Sequence, residues 1–161
     1  MKKAILIAMA LAAVIVPAAL ATTQTQASST YCKAHATALI GTGMRYKSLG
    51  ACVANQTAQA DKNKVNAAKE CTAEMADSNA AAFATSHGGK TFAQFYTVKG
   101  KGNAFGKCVS LKANAKTAAQ HTAQLNAVKT CRTDAMKAQT GAKLLYRTFG
   151  ACVAAQTKLA G

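Results

Sequence analysis

Apolar residues along this chain recur at helical spacings within long stretches of Ala, Lys, Gln and Asn. Two of these stretches, from Ala51 to His87 and from Lys107 to Thr140, contain neither glycine nor proline. Alanine is the strongest helix former, and the alternation of β-branched residues that is typical of strands is missing from the sequence. The pattern therefore predicts long helices and an all-α fold.

Large apolar residues are scarce, so each predicted helix has only a narrow stripe with which to form a core. In the first long stretch the predicted stripe consists of Val53, Val65, Ala68 and Met75. In the second stretch it consists of Phe105, Val109, Leu125, Val128 and Met136. A domain with so thin a core usually depends on covalent cross-links.

The six cysteines form three pairs, and the second cysteine of each pair lies in the same local pattern. That pattern is Gly-x-Cys-Val, and it occurs at Cys52, Cys108 and Cys152. Residues 46–57 closely match residues 146–157, and residues 66–71 match residues 126–131. We interpret the chain as three disulfide-stapled helical-hairpin repeats that share long helices.

Helix geometry restricts how the cysteines can pair. If Cys52 and Cys71 share a helix, the rise of 1.5 Å per residue separates them by about 28 Å, whereas the Cα atoms of a disulfide lie within about 7 Å of each other. The same reasoning separates Cys108 from Cys131 by about 34 Å. The expected bonds, one for each hairpin, are Cys32–Cys52, Cys71–Cys108 and Cys131–Cys152.

Metal binding is the alternative use of these cysteines. Cys32 and His35 are three residues apart and would face the same way on a helix. Structural zinc sites usually contain close pairs of the form Cys-x2-Cys, and the sequence has none. We therefore expect disulfides, with no metal and no other cofactor.

The N-terminus has the features of a secretion signal. Two lysines precede an apolar run that ends in small residues, and cleavage is expected after Ala21 or Ala27. The predicted organisation is a signal peptide at 1–21, a disordered lead-in at 22–30 and a helical repeat domain at 31–161. A retained membrane anchor is the competing interpretation, because the run approaches the length that spans a bilayer. The predicted location is extracellular or associated with the cell wall.

The chain carries a net charge of +15, which falls to +13 when the two lysines of the predicted signal peptide are removed. Such an excess favours anionic partners, among them teichoic acids, anionic lipid head groups and acidic polysaccharides. The sequence contains no arginine-rich arm and no recognisable nucleic-acid module, so specific binding to nucleic acid is not expected. The alternative is that the charge only keeps an alanine-rich surface soluble.

One turn combines several lysines with the start of a predicted helix. The segment Gly100-Lys101-Gly102-Asn103 precedes the helix that begins near Ala104, and Asn103 is its expected N-cap. An anion could bind at that helix N-terminus. The candidate anion-binding residues are Lys99, Lys101, Asn103 and Lys107. The turn is not followed by the Gly-Lys-Ser/Thr of a phosphate-binding P-loop.

Few residues are available for acid, base or nucleophilic catalysis. The chain has five acidic residues, and an ordinary solvated helix face or local ion pairs are the simplest interpretation of Glu70, Glu74 and Asp77. Ser110, His121 and Asp134 could be named as a hydrolytic triad, but about three helical turns separate the serine from the histidine. We expect no enzymatic activity.

The middle hairpin contains a longer motif. Cys71-Thr72-Ala73-Glu74 is followed by Phe92-Ala93-Gln94-Phe95-Tyr96 and then by residues 103–110, Asn-Ala-Phe-Gly-Lys-Cys-Val-Ser. This succession resembles a motif of small secreted actinobacterial proteins, over residues 71–110. The resemblance implies export and repeat architecture rather than an activity. The other hairpins are reduced copies, with Asp134 at the position of the glutamate in the third and His35 in the first.

We expect a non-catalytic, basic, extracellular protein that binds an anionic component of the cell envelope or a protein partner. Two other functions fit the same sequence. A membrane-active antimicrobial or toxin-like protein would use the same charge, although it would usually have larger apolar residues on one helix face. A purely structural envelope protein would need only the cross-linked helices.

Overall fold

The computed structural model describes residues 18–76, 79–97, 102–139, 146 and 148–159. Within these ranges the chain forms helices joined by turns, with one isolated β-bridge between Ile40 and Tyr46 and no strand. The all-α prediction is therefore confirmed. The helices are α1 (Ala18–Ala34), α2 (Ala36–Leu39), α3 (Leu49–Met75), α4 (Ala80–Ser86), α5 (Phe92–Tyr96), α6 (Ala104–Gln139) and α7 (Phe149–Leu159).

The three expected disulfides are all present. Cys32–Cys52 joins α1 to α3, with Cα atoms 6.0 Å apart. Cys71–Cys108 joins α3 to α6 at 6.0 Å, and Cys131–Cys152 joins α6 to α7 at 5.8 Å. Because α3 and α6 each carry two of the cysteines, neighbouring hairpins share a long helix, as predicted. Three disulfides fit a protein that folds in an oxidising, extracellular environment.

The two long helices run antiparallel and meet along a seam of small and amide side chains. Gln56 bonds to Gln124, while Cys71 at the far end of α3 bonds to Cys108 near the start of α6. Asn63 lies between these contacts and bonds to Gln120. The buried residues of α3, which recur every three or four positions as helix packing requires, are Cys52, Gln56, Ala60, Asn63, Ala67 and Cys71.

The predicted apolar stripe of α3 is wrong in two places. Val65 is 56% exposed and Met75 is 50% exposed. Val65 follows the buried Asn63 by two residues, which turns its side chain about 200° around the helix and away from the seam. The larger side chains therefore face outward, and alanines and amides form the contact. In α6 the prediction holds for the buried Val128, whereas the Met136 side chain lies outside the described part.

The first and third hairpins share one core. The buried members of this core cluster are Tyr31, Cys32, Leu39, Tyr46, Cys52, Ala127, Val128, Cys131, Cys152 and Val153. Two of the three disulfides thus lie in the same core. Tyr46 and Tyr146, which are aligned in the match of residues 46–57 to 146–157, make the same contact. Gln56 donates to the Tyr46 hydroxyl at 3.1 Å, and Gln156 donates to the Tyr146 hydroxyl at 3.4 Å.

The middle hairpin has its own aromatic cluster. Its disulfide closes a segment of 37 residues, against 20 and 21 in the other two, because α4 and α5 are inserted there. Phe83 is buried at the centre of this cluster, stacked on His87 with ring centroids 3.9 Å apart. Phe92 and Phe95 pack against Phe83 at 5.5 and 5.9 Å, although Phe95 is 43% exposed.

Residues 22–30, the predicted lead-in, lie within α1 in the structure. Ser28 is buried, and the helix continues to Tyr31 and Cys32, which belong to the core. The segment lacks an apolar pattern of its own, so its helix is supported by packing on α3 and by the Cys32–Cys52 bond rather than by sequence preference. The predicted signal peptide stays a prediction, since residues 1–17 lie outside the described part. Among the described helices, none is long and apolar enough to cross a membrane.

Each Gly-x-Cys-Val pattern lies at the start of a helix, but the surroundings of its glycine differ among the three copies. Gly150 donates its N–H to the Gly43 carbonyl at 2.8 Å, and a Cβ at Gly150 would collide with the backbone carbonyl of Met44. A Cβ at Gly106 would lie 2.5 Å from the side chain of Asn103. At Gly50 the nearest atom would be 3.9 Å away. The shared motif therefore has no single steric cause.

Candidate functional site

The predicted anion site is only partly described. The Asn103 Oδ1 accepts a hydrogen bond from the Gly106 N–H at 2.8 Å, so Asn103 caps α6 as expected. Lys107 is exposed in the first turn of α6, whereas Lys99 and Lys101 lie outside the described residues. One of the free N–H groups of the helix start is thus already used by the cap. Anion binding at these four residues remains a prediction.

Glu74 is the centre of a cluster beside the Cys71–Cys108 disulfide. Its Oε2 accepts a hydrogen bond from the Tyr96 hydroxyl at 3.0 Å, and its Oε1 lies 2.9 Å from the Lys112 Nζ. The Cys108 Sγ is 3.8 Å from the same Oε2. The cluster therefore ties α5 to both long helices. The sequence had placed Glu74 and Tyr96 in one motif, but it did not indicate that the two side chains bond to each other.

Glu70 extends this cluster by one helical turn. Its carboxylate lies 2.8 Å from the Lys116 Nζ and 3.8 Å from the Lys112 Nζ. The hydrogen bond from Lys116 lowers the pKa of Glu70, with smaller Coulomb contributions from Lys116 and Lys112. The expectation that these acids form local ion pairs is confirmed for Glu70 and Glu74.

The chemistry of this cluster favours a structural role. Burial, together with the hydrogen bond to Glu74, raises the pKa of Tyr96 to about 12, so its hydroxyl stays protonated at neutral pH. Each oxygen of Glu74 has a partner, the Tyr96 hydroxyl for Oε2 and the Lys112 Nζ for Oε1. These contacts clamp α5 against the two long helices.

A second polar cluster lies inside the main core. Gln56 donates from Nε2 to the Gln124 Oε1 at 2.9 Å and to the Tyr46 hydroxyl at 3.1 Å. Gln124 donates from Nε2 to the same hydroxyl at 3.0 Å and accepts from the Tyr31 hydroxyl at 3.2 Å. The Tyr46 hydroxyl in turn donates to the Asn55 Oδ1 at 3.0 Å. These buried amides and phenols therefore satisfy one another.

His121 closes the network from α6. Its Nε2 lies 3.2 Å from the Gln56 Oε1, and since a carbonyl oxygen only accepts, the network assigns the proton to Nε2. Its ring stacks on Tyr31 at 3.6 Å, and Tyr31 is also 4.8 Å from the ring of His35. Burial, reinforced by the charge of His35, lowers the pKa of His121. Burial, with a smaller contribution from Tyr46, raises the pKa of Tyr31 to about 12.

The structure gives no support to a hydrolytic triad. Ser110 and His121 both lie on α6, where eleven residues correspond to about 16 Å. His121 faces Gln56 rather than a serine, and the Asp134 side chain lies outside the described part.

Metal ligands are also not gathered in the described part of the chain, where no three His, Cys, Asp or Glu side chains come together. Cys32 bonds to Cys52, so its thiolate is not available beside His35 in this oxidised state.

The cations, by contrast, are largely without ion-pair partners among the described side chains. Only Lys112 and Lys116 take part in ion pairs there. Apart from Lys137, whose side chain lies outside the described part, the other cations of the described helices are exposed or partly exposed. In the described part of the chain, the surface cations are thus the charged groups that the fold leaves mostly without partners.

The fold and these clusters define a disulfide-cross-linked, all-α protein with an excess of surface cations. Comparison with known proteins gave no match to a family model, to a curated protein or to a solved structure. The resemblance of the middle hairpin to secreted actinobacterial proteins therefore stays a prediction.

Proposed function

We propose that this protein is exported and binds an anionic component of the cell envelope through its basic surface, without catalysis. The observation that carries the proposal is the contrast between buried amides and phenols that are paired with one another and a surface whose cations are mostly unpaired among the described side chains. A net charge of +15 on 161 residues produces a field that attracts polyanions.

The covalent framework supports binding at an exposed location. Three disulfides join the four longest helices, so the cations are presented on a surface with little freedom to rearrange. Preorganised charges bind a partner with a smaller loss of side-chain and backbone entropy. Disulfides are also the cross-links that persist outside the cell.

A salt titration of binding tests this proposal. The oxidised protein is mixed with a fluorescent anionic polymer and, separately, with vesicles containing anionic lipid, and affinity is measured from low to high salt. We expect the logarithm of the affinity to fall linearly with the logarithm of the salt concentration, as release of counterions requires. Failure to bind any anionic probe at low salt, or retention that ignores salt, would contradict the proposal.

The vesicle experiment also distinguishes the membrane-active alternative. We expect vesicles loaded with a self-quenching dye to remain intact, because the exposed large apolar residues of the described part are divided among α3, α5 and α6 and form no continuous face on any one of these helices. Leakage at low protein concentration would favour the toxin-like function instead.

A further inference from the structure

Five cations surround one end of the bundle. Lys33 follows Cys32, while Arg45 and Lys47 flank Tyr46. Cys32, Tyr46 and Cys131 belong to the same core cluster, which brings these chain segments together. We call this surface the basic end, and its residues are Lys33, Arg45, Lys47, Lys129 and Arg132. Four of them are exposed, and Arg45 is partly buried.

The opposite end of the bundle is partly neutralised. There Glu70 and Glu74 pair with Lys112 and Lys116. On α3 the acid nearest to the basic end is Asp61, which is nine residues from Cys52 and therefore about 13 Å away along the helix. Asp134 is near the basic end in sequence, and its side chain lies outside the described part. All of the described charged side chains at the basic end are therefore positive.

Both arginines of the described residues, Arg45 and Arg132, lie at this end. The chain has one more arginine, Arg147, which lies outside the described residues. The other cations of the described residues are lysines. A guanidinium offers a planar fork of donors that matches a phosphate group, whereas charge for solubility alone gives no reason to separate arginine from lysine.

Arg45 is held in place on a structured turn. Its Cζ lies 5.7 Å from the centre of the Tyr46 ring. Gly41 donates to the Tyr46 carbonyl and Tyr46 donates to the Leu39 carbonyl, both at 2.9 Å. The Nε of Arg45 is buried and has no hydrogen-bond partner among the described residues. A guanidinium fixed in this way retains donor capacity for an acceptor that the described residues do not supply.

We propose that the basic end binds a polymer that carries phosphate groups along its length, with Arg45 and Arg132 as the phosphate ligands. This inference rests on the proposed function and names its site and ligand chemistry. Several cations spread over one end suit a repeated anion. Among the described large apolar residues, Leu49 is the one exposed near this end, at 38%, so the end lacks the apolar anchor that a lipid surface would require.

The test compares two pairs of substitutions that remove the same charge. Arg45→Gln with Arg132→Gln changes the basic end, and Lys62→Gln with Lys69→Gln changes exposed positions of α3. Binding of poly(glycerol phosphate) is measured for both double variants. We expect about a tenfold loss of affinity and a salt slope smaller by about two for the arginine pair, and less than a twofold loss for the lysine pair.

Two further variants keep the test decisive. Arg45→Lys with Arg132→Lys retains the charge and is expected to lose affinity severalfold, because a lysine cannot form the bidentate contact. Lys129→Gln with Arg132→Gln alters only exposed side chains, so it separates loss of binding from a folding defect at Arg45.

The outcomes separate the inference from the proposed function. Equal losses in the arginine and lysine pairs would leave anion binding intact but overturn the basic end as its site. Tighter binding to phosphatidylglycerol vesicles, or to polyglutamate, than to poly(glycerol phosphate) would overturn the ligand assignment. If the unmodified protein binds none of the three probes, the proposed function itself fails.

Discussion

Gln124 offers the sharpest test of the buried polar network. Replacing Gln124 by methionine keeps the length of the side chain but removes three hydrogen bonds, to Tyr31, Gln56 and Tyr46. The hydroxyl of Tyr31 and one amide hydrogen of Gln56 then lose their acceptor. A buried donor without a partner costs about 1–3 kcal/mol, so we expect Gln124→Met to destabilise the protein by about 2–5 kcal/mol. Domains of this kind have a total stability of about 5–15 kcal/mol.

Urea unfolding of the oxidised protein measures this loss. We expect the urea concentration at the unfolding midpoint to fall, while the slope of the unfolding free energy against urea concentration stays unchanged. Gln120→Met is a suitable control, since Gln120 is itself only partly buried and water can replace its bonds to Asn63 at 2.9 and 3.3 Å, while Asn63 keeps its bond to Thr117. Its expected cost is below about 1 kcal/mol.

Adding Tyr31→Phe to Gln124→Met removes one of the orphaned donors. The double variant should therefore be less destabilised than the sum of the single variants, by about 1 kcal/mol or more. A Gln124→Met protein within about 0.5 kcal/mol of the unmodified protein would refute the reasoning, because the network would then contribute little beyond its packing.

Three further predictions concern other parts of the fold. The pKa of His121 is lowered in the folded state, so below pH 6.5 the unfolded chain binds more protons than the folded chain. The free energy of unfolding should therefore fall as the pH drops from 6.5 towards the lowered pKa. His121→Asn should flatten this pH dependence, as measured by thermal unfolding. Tyr96→Phe removes the bond to Glu74 and should speed hydrogen exchange in α4 and α5 while leaving α7 unchanged. Gly150→Ala should lower the free energy of unfolding by about 1–3 kcal/mol, because its Cβ would collide with a backbone carbonyl. Gly50→Ala, whose Cβ would lie 3.9 Å from its nearest neighbour, should be neutral or slightly stabilising, and equal effects of the two substitutions would contradict the contact.

The helices and the disulfide pairing follow from local properties of the sequence. Alanine-rich stretches without glycine or proline favour helix regardless of tertiary contacts. The pairing then follows from distance alone, because 19 residues of α3 hold Cys52 and Cys71 too far apart to bond. The cap at Asn103 was predictable for the same reason, since capping depends on residues within one turn.

The interior could not be predicted in the same way. Gln56 and Gln124 are 68 positions apart, and each resembles a solvent-facing residue until the other is known. The bond between Glu74 and Tyr96 likewise depends on the turn that brings α5 against α3. Large side chains such as Val65 were expected inside, but they are excluded from a seam where alanine allows the two long helices to approach.

The composition of the seam between α3 and α6 explains why the protein needs both disulfides and hydrogen-bonded amide side chains. Alanines bury little apolar area per turn, so packing alone supplies less stabilisation than in a leucine-rich bundle. Each disulfide, closing 20 to 37 residues, contributes about 3–4 kcal/mol in the chain-entropy estimate. Small residues also fit one another at several registers, whereas the bonds of Gln56 to Gln124 and of Asn63 to Gln120 are satisfied at only one. Stability therefore comes largely from the cross-links and register from the amides, and among the described cations only Lys112 and Lys116 add ion pairs to this framework.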